Sequence, residues 1–200
     1  MGPSGSGKTT LLNMLSTIDK PTHGTILLDG MDITKAGNKE LSNIRKDKIG
    51  FIFQDYNLLD TMTLQDNIAL PLSLKGVASS TCIQKTKELA AMFGLEEHLK
   101  KYPYQLSGGQ KQRGAACRAL ISDPKILFAD EPTGALDYNT GKQVLKLLQD
   151  TCRKQKVTVI VITHNLALAP MGDKVIHVKN GRIESIEINE NPMPVERIEY

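Results

Sequence analysis

Residues 1–10 read MGPSGSGKTT, and the stretch from Gly2 to Thr9 matches the pattern G-x-x-x-x-G-K followed by Ser or Thr at every fixed position. Glycines allow backbone N–H groups to turn inward toward phosphate oxygens, and the helix that begins near Lys8 directs its positive dipole end to the same place. Lys8 would reach the outer phosphates and the Thr9 hydroxyl would bind Mg²⁺. The stretch therefore predicts a site for a nucleoside triphosphate. The predicted phosphate-binding residues are Gly2, Pro3, Ser4, Gly5, Ser6, Gly7, Lys8, Thr9 and Thr10.

The composition excludes several classes of function. The 25 basic and 22 acidic residues are mixed along the chain and give a net charge of +3, without the basic stripe that a nucleic-acid partner would require. Cys82, Cys117 and Cys152 are far apart and lack metal-ligand spacing, so we expect reduced thiols without a chemical role. The longest apolar runs fall well short of the roughly 18 residues of a membrane helix. Work at a membrane would therefore depend on the helices of a partner.

The order of the predicted elements indicates an α/β fold with a mainly parallel core sheet. Continuous apolar strands separated by helices are typical of a parallel sheet that is covered on both faces. We predict a core from residues 1–62 and 105–190, a small helical subdomain at about 63–104, and a loose tail at 191–200. The predicted elements are a helix after the glycines, a strand with a turn at Asp29-Gly30 in residues 25–33, strands at 49–54, 126–129 and 157–163, a helix at 140–155, and a hairpin that turns at Asn180-Gly181.

A second motif, KILFADEP at residues 125–132, is a buried strand that ends in two acids. Its two carboxylates emerge at the carboxyl edge of the sheet, where ligands bind in open α/β folds. Asp130 can hold Mg²⁺ through water, and Glu131 can then orient or deprotonate an attacking water. Such a strand end is common by itself, but beside a phosphate loop it predicts a hydrolytic site.

A third motif, LSGGQKQRGAACRAL at residues 106–120, places Ser107, Gly108 and Gly109 immediately before a helix. The free N–H groups at this helix start form a second anion site. About a hundred residues separate the two phosphate cradles, so two half-sites of one chain can face each other across a two-fold dimer.

Together the three motifs closely resemble the ATP-binding-cassette (ABC) ATPases, which have a P-loop NTPase fold, and the resemblance covers nearly the whole chain. It implies that two subunits close head to tail over two Mg·ATP. It further implies a role in catalysis and metal contact for Gln54 in IGFIFQ, and a γ-phosphate contact for His164 in VITHN. The implied catalytic residues are Glu131, His164 and Gln54, the implied metal-site residues are Thr9, Gln54 and Asp130, and the implied contacts to the other subunit's nucleotide come from Ser107, Gly108, Gly109, Gln110 and Asp137.

The sequence departs from this family pattern at three places. Asn165 stands where an aspartate is frequent, and Gly114 lowers the stability of the third motif's helix by about 1 kcal/mol unless close packing uses it. Family members also have, before the phosphate loop, the strand that feeds it and an antiparallel segment whose aromatic residue stacks on adenine. The lack of that strand predicts unpaired backbone groups in the core, each worth about 1–3 kcal/mol. We therefore expect an incomplete chain that lacks its N-terminal strands.

The stretch IGFIFQDYNLLDTMTLQDNIALPL resembles the lipoprotein-release, macrolide-export and antimicrobial-peptide-resistance ATPases, especially the last group. That resemblance implies a cytoplasmic ATPase, peripheral on the inner face of the cell membrane, that drives a separate permease and exports or detaches an antimicrobial peptide or lipophilic cargo. Two alternatives stay open: a regulatory cassette that signals to a membrane partner without transport, and an inactive truncated remnant. A cassette acting on nucleic acid is disfavoured, because residues 63–101 are too short for a coiled-coil insertion and lack heptads.

Overall fold

The computed structural model describes residues 1–134 and 136–199. No helix within these residues is both long and apolar enough to cross a membrane. The helices are α1 (Lys8–Leu15), α2 (Asn38–Lys48), α3 (Leu64–Leu74), α4 (Ser79–Met92), α5 (Gly108–Leu120) and α6 (Tyr138–Gln155). The strands are β1 (Leu27–Leu28), β2 (Met31–Asp32), β3 (Ile49–Ile52), β4 (Ile126–Asp130), β5 (Thr158–Ile162), β6 (Lys174–Lys179) and β7 (Arg182–Ile188). Short 3-10 turns lie at Ile33–Lys35, Glu96–His98, Pro103–Gln105, Leu166–Met171 and Val195–Arg197.

The core of the fold is a parallel sheet with the strand order β3-β4-β5. Strand β4 lies in the middle, and its residues Leu127 and Ala129 are fully buried. Helices α1 and α6 pack on β5, and α2 and α5 pack on β3. The parallel α/β fold predicted from the apolar strands is therefore confirmed. Because the three strands run the same way, their carboxyl ends meet at one edge, and β4 delivers Asp130 there.

The segment that was predicted to be helical contains α3 and α4, with no strand between residues 63 and 101. Helix α3 packs against both α4 and α5, through buried side chains such as Leu64 and Ile68. At Gly114 of α5, a Cβ atom would lie 2.5 Å from Leu64 Cδ1. Gly114 is therefore needed for the close approach of α5 to α3, which explains the unfavourable residue in this helix.

The hairpin β6–β7 turns at Asn180 and Gly181, which have φ angles of 49° and 73°. Two successive left-handed residues match the turn that suits a tight two-residue hairpin, so the prediction from Asn-Gly is confirmed. The turn also supports the phosphate loop, because the Gly181 N–H donates to the Ser6 carbonyl at 2.9 Å.

A groove of about 720 Å³ lies between β5 and β6. Apolar side chains line it, including Leu11 and Leu15 of α1 and Ile160 of β5. Within the described residues β5 pairs only with β4, so its other edge borders the groove. The Met1 amino group donates to the Ile176 carbonyl at 2.6 Å and the Val178 N–H donates to the Met1 carbonyl at 2.8 Å, which is how a residue pairs with a parallel strand.

The C-terminal segment differs from the loose tail that was predicted for residues 191–200. Val195 and Ile198 are buried and pack with Leu145 of α6 and with Leu168. An ion pair between Lys146 and Glu196 lies beside this contact. The prediction was wrong because polar and proline residues surround the two apolar side chains, so no periodic pattern marks them. Tyr200 lies outside the described residues.

Candidate functional site

The phosphate loop leads directly into α1, whose N-cap Gly7 forms no side-chain hydrogen bond to the helix. The first N–H groups of α1 are therefore available to an anion at the positive end of the helix. Lys8 is buried, and its Nζ donates to the carbonyls of Gly2 and Pro3 at 2.8 and 2.7 Å. An ammonium group has three protons, so a third donor remains for a phosphate oxygen.

Two further features of the loop suit a phosphate ligand. Gly2 has a φ angle of 151°, and a Cβ atom there would overlap the Val178 carbonyl oxygen, so only glycine fits between the loop and β6. The hydroxyl of Ser6 is buried and has no hydrogen-bond partner among the described residues. A buried hydroxyl without a partner is unfavourable, and a ligand oxygen would supply one. Pro3, Ser4, Gly5, Thr9 and Thr10 are exposed and open to a ligand.

Asp130 ends β4 next to the first turn of α1. Its carboxylate lies beside the Thr9 side chain. Burial raises the pKa of Asp130 and the charge of Glu131 raises it further, while Lys8 and the Thr9 side chain act in the opposite direction. A carboxylate beside a hydroxyl is the oxygen donor set that Mg²⁺ accepts with waters and phosphate oxygens, and a divalent cation would favour the ionised acid. The residues present therefore fit Mg²⁺. No group of three or more His, Cys, Asp or Glu side chains suited to a metal occurs in residues 1–134 and 136–199.

Glu131 is held in an unusual conformation directly after β4. Its φ angle is 43°, a left-handed value that disfavours residues other than glycine, and such strain concentrates at functional sites. Its N–H donates to the Ile162 carbonyl at 2.9 Å. The Glu131 Oε1 atom accepts from the His164 backbone N–H at 3.0 Å and contacts His164 Nδ1 at 2.7 Å. The structure thus brings together Glu131, which was predicted to orient or deprotonate the attacking water, and His164, for which a γ-phosphate contact was implied.

Gln54 follows β3 and is exposed at the same edge of the sheet. A Cβ atom built on Gly134 would lie 3.9 Å from Gln54 Nε2, and the Gly134 N–H donates to the Glu131 carbonyl. The Gln54 side chain therefore lies beside the turn that follows β4. This edge collects the phosphate loop, Asp130, Glu131, His164 and Gln54, and we call it the hydrolytic edge.

The third motif forms the start of α5. Ser107 is its N-cap: the Gln110 N–H donates to Ser107 Oγ at 3.3 Å, and Gln110 Oε1 accepts from the Ser107 N–H at 2.9 Å. Gly108 and Gly109 form the first turn. A Cβ atom on Gly109 would overlap the Thr140 methyl group, and the Thr140 N–H donates to Asp137 Oδ1 at 3.1 Å. Ser107–Gln110 and Asp137 therefore lie together, and we call them the signature patch.

The signature patch is separate from the phosphate loop of its own chain. Between described residues, no hydrogen bond or ion pair joins Ser107–Gln110 to Gly2–Thr9. The protein thus has two helix starts whose N–H groups can accept an anion, at Lys8 and at Gly108, each with its own polar neighbours. That they act as two half-sites stays a prediction.

Comparison with known proteins identifies the family. A family model described as ABC transporter matches residues 1–134, which is more than half of the chain. The chain belongs to the ABC transporter family. It is an ATP-binding ATPase subunit of that family, as the three motifs predicted.

Individual relatives of this ABC ATPase cover most of its length. A bacitracin export ATP-binding protein, BceA, of Halalkalibacterium halodurans is 48% identical over 92% of this chain and 72% of that protein. A macrolide export ATP-binding/permease protein, MacB, of Campylobacter fetus is 45% identical over 92% of this chain and 29% of its own length. The dimeric structure of the ATP-binding cassette MJ0796 bound to ADP and Pi superposes with a TM-score of 0.87 and 41% identity, over 94% of this chain and 83% of that chain.

Several contacts of the site were not predicted from the sequence. The hairpin β6–β7 supports the phosphate loop through Gly181 and Val178, and Gln112 is a fully buried polar side chain on α5. Gln112 lies within the quoted third motif, but the motif gives no reason to single it out. Only a buried position combined with a polar side chain marks it, and burial at this position depends on the packing of α5.

Proposed function

We propose that two copies of this ABC ATPase close head to tail over two Mg·ATP, so that each nucleotide lies between the hydrolytic edge of one subunit and the signature patch of the other. The observation that supports this is the separation of the two anion-binding helix starts, at Lys8 and Gly108, on one chain. A two-fold axis would place the Gly108 helix start of each subunit against the nucleotide that the Lys8 helix start of the other subunit holds. The dimeric form of the related MJ0796 cassette is consistent with this arrangement.

In this proposal the residues of the hydrolytic edge have separate roles in phosphoryl transfer. The α1 N–H groups and Lys8 hold the phosphates, and Thr9, Asp130 and Gln54 would hold Mg²⁺, which supplies positive charge to the phosphate oxygens. Glu131 orients the attacking water and accepts its proton, since its carboxylate is fixed at the end of β4. His164, whose N–H and Nδ1 atoms contact this carboxylate, would also contact the γ-phosphate.

In the signature patch, Ser107, Gly108, Gly109 and Gln110 would hold the γ-phosphate of the facing subunit, and Asp137 would contact that subunit near its phosphate loop. The N–H groups at the start of α5 provide donors there, as they do at α1. ATP binds the closed pair better than the open monomer, so binding closes the pair and hydrolysis reopens it.

The membrane partner is a permease subunit that the ATPase drives from the cytoplasmic face of the cell membrane. The relatives support an export or detachment role for antimicrobial peptides or lipophilic cargo, because one is named for bacitracin export and another for macrolide export by a joined permease. We propose residues 1–62 and 105–190 as the catalytic core and about 63–104 as the helical subdomain.

Thermal unfolding with and without excess Mg·ATP tests nucleotide binding. At a hundredfold excess over Kd, binding stabilises the folded state by about 2.7 kcal/mol. For a chain of this size we expect the Tm to rise by roughly 5–11 °C. Lys8→Ala should abolish the rise. A cooperative transition that is unaffected by Mg·ATP would contradict the proposal for this chain.

The molecular mass of the Glu131→Gln variant in the presence of ATP, measured by light scattering, tests whether two subunits share each nucleotide site. This variant should bind ATP, release no phosphate and remain a dimer. Adding Ser107→Arg, at an exposed position of the signature patch, should return it to a monomer while the ATP-dependent rise in Tm persists, because only that patch is changed. A monomeric Glu131→Gln protein that still binds ATP would refute the head-to-tail pair.

A further inference from the structure

Gln112 is a polar side chain in the core of the protein. It lies in the second turn of α5, and only 1% of its surface is exposed. Its Nε2 atom donates to the Pro132 carbonyl at 3.0 Å, and its Oε1 atom has no partner among the described residues. A buried amide with one unpaired oxygen is unfavourable for stability, and an apolar residue of the same size would avoid that penalty. Simple core packing therefore does not explain a glutamine at this position.

The carbonyl that Gln112 binds belongs to the turn that presents Glu131. This turn begins with the left-handed Glu131, continues through Pro132 and closes with the hydrogen bond from the Gly134 N–H to the Glu131 carbonyl. Pro132 has no N–H, so its carbonyl is the one backbone group through which hydrogen bonds can hold that residue. The strained conformation of Glu131 persists only if its surroundings hold it.

We propose that Gln112 is a positioning residue, which holds the Pro132 carbonyl and thereby fixes the turn that directs the Glu131 carboxylate. The role rests on the function proposed above for Glu131. Because α5 begins at the signature patch, the same hydrogen bond joins that patch to the hydrolytic edge of its own subunit. A shift of α5 on closing over the other subunit's nucleotide is thereby transmitted to the residue that activates water.

Hydrogen exchange of the His164 amide measures the position of Glu131 directly. In the wild-type chain the His164 N–H donates to Glu131 Oε1 at 3.0 Å, and this hydrogen bond slows its exchange. The variant Gln112→Met keeps the volume of the side chain and removes the donor to Pro132. We expect exchange of the His164 amide, observed by NMR, to become about tenfold faster or more, as befits the loss of a hydrogen bond to a charged acceptor.

Gln149→Met is the matched control. Gln149 Nε2 also donates to a backbone carbonyl, that of Met193, at 3.0 Å, but it lies near the end of α6, outside the hydrolytic edge and the signature patch. This variant should leave exchange of the His164 amide unchanged. If Gln112→Met does not fold, Gln112→Leu replaces it, because leucine is also apolar, is no longer than glutamine and likewise lacks the donor.

Two results would overturn the positioning role. One is exchange at His164 that equals the wild-type rate. The other is faster exchange that extends equally to the amides of the central strand β4, such as Phe128, since that pattern indicates general destabilisation.

Kinetics separate this inference from the proposed function. If both hold, Gln112→Met should lower kcat for ATP hydrolysis at least tenfold and leave the affinity for ATP within about twofold. Gln149→Met should change neither. A wild-type chain without ATPase activity would refute the proposed function, whereas the exchange result at His164 would still decide whether Gln112 positions Glu131.

Discussion

Replacing Asn67 with aspartate should destabilise this protein strongly, and the effect should depend on pH. Asn67 lies in the first turn of α3 and is fully buried. Its Oδ1 atom accepts from the Leu59 N–H at 2.7 Å, and its Nδ2 atom donates to the carbonyls of Leu59, Met62 and Thr63 at 3.0, 3.2 and 3.0 Å. The side chain thereby fixes the loop that joins Gln54 to α3.

Asn67→Asp keeps the shape and the acceptor but turns a carboxylate oxygen toward three carbonyls. Leaving buried acceptors without a donor costs about 1–3 kcal/mol, and a buried charge without a partner raises the total to about 3–5 kcal/mol. Because net stability is about 5–15 kcal/mol, the loss should be a large part of it. The pKa of the new carboxyl should be raised in the folded state. The part of the penalty that comes from the buried charge is therefore complete above that raised pKa and disappears below the unfolded value of about 3.9.

Urea unfolding of the wild type and the variant between about pH 4 and pH 7 measures both the size and the pH dependence of the effect. Asn43→Asp is a suitable control, since Asn43 is exposed on α2 and the same substitution there should change the free energy of unfolding by less than about 0.5 kcal/mol. The reasoning fails if the two variants unfold alike at neutral pH, or if the loss at Asn67 is the same at both ends of the pH range.

Two further predictions concern Asp130 and the C-terminal segment. Burial and the Glu131 charge raise the pKa of Asp130 above its ordinary 3.8, so the folded state binds the carboxyl proton more tightly than the unfolded state does. The free energy of unfolding therefore falls as the pH rises from the ordinary pKa through the raised pKa of the folded state. Asp130→Asn should therefore stabilise the protein near neutral pH, with the gain vanishing below about pH 4 in urea unfolding. Val195→Ala should lower stability by about 1–3 kcal/mol because Val195 is fully buried, whereas Ile188→Ala, at a residue that is 74% exposed, should change it by less than about 0.5 kcal/mol in the same assay.

The elements that the sequence predicted well depend on local chemistry. The apolar run 126–129 lies in the middle strand as expected, and its residues 127–129 are buried, because an uninterrupted apolar run favours a strand that is covered on both faces. Asn180-Gly181 forms the hairpin turn because few other residue pairs adopt two left-handed conformations in succession. Burial at 195–198 was not predicted, because it arises from contact with α6, some 50 residues earlier in the chain.

The chemical groups that this ABC ATPase carries can be identified from its sequence alone. Three motifs supply these groups: the glycine loop with Lys8, the acids that end β4, and the Ser-Gly-Gly helix start. Each motif occupies a short stretch of backbone, so the sequence of that stretch is enough to identify it. How these groups are held in place depends on the folded structure. The Ser6–Gly181 and Gln112–Pro132 hydrogen bonds, and the fit of Gly114 against Leu64, join residues that lie about 20 to 175 positions apart in the chain. Such contacts depend on how the helices and strands pack, and no local pattern specifies that packing.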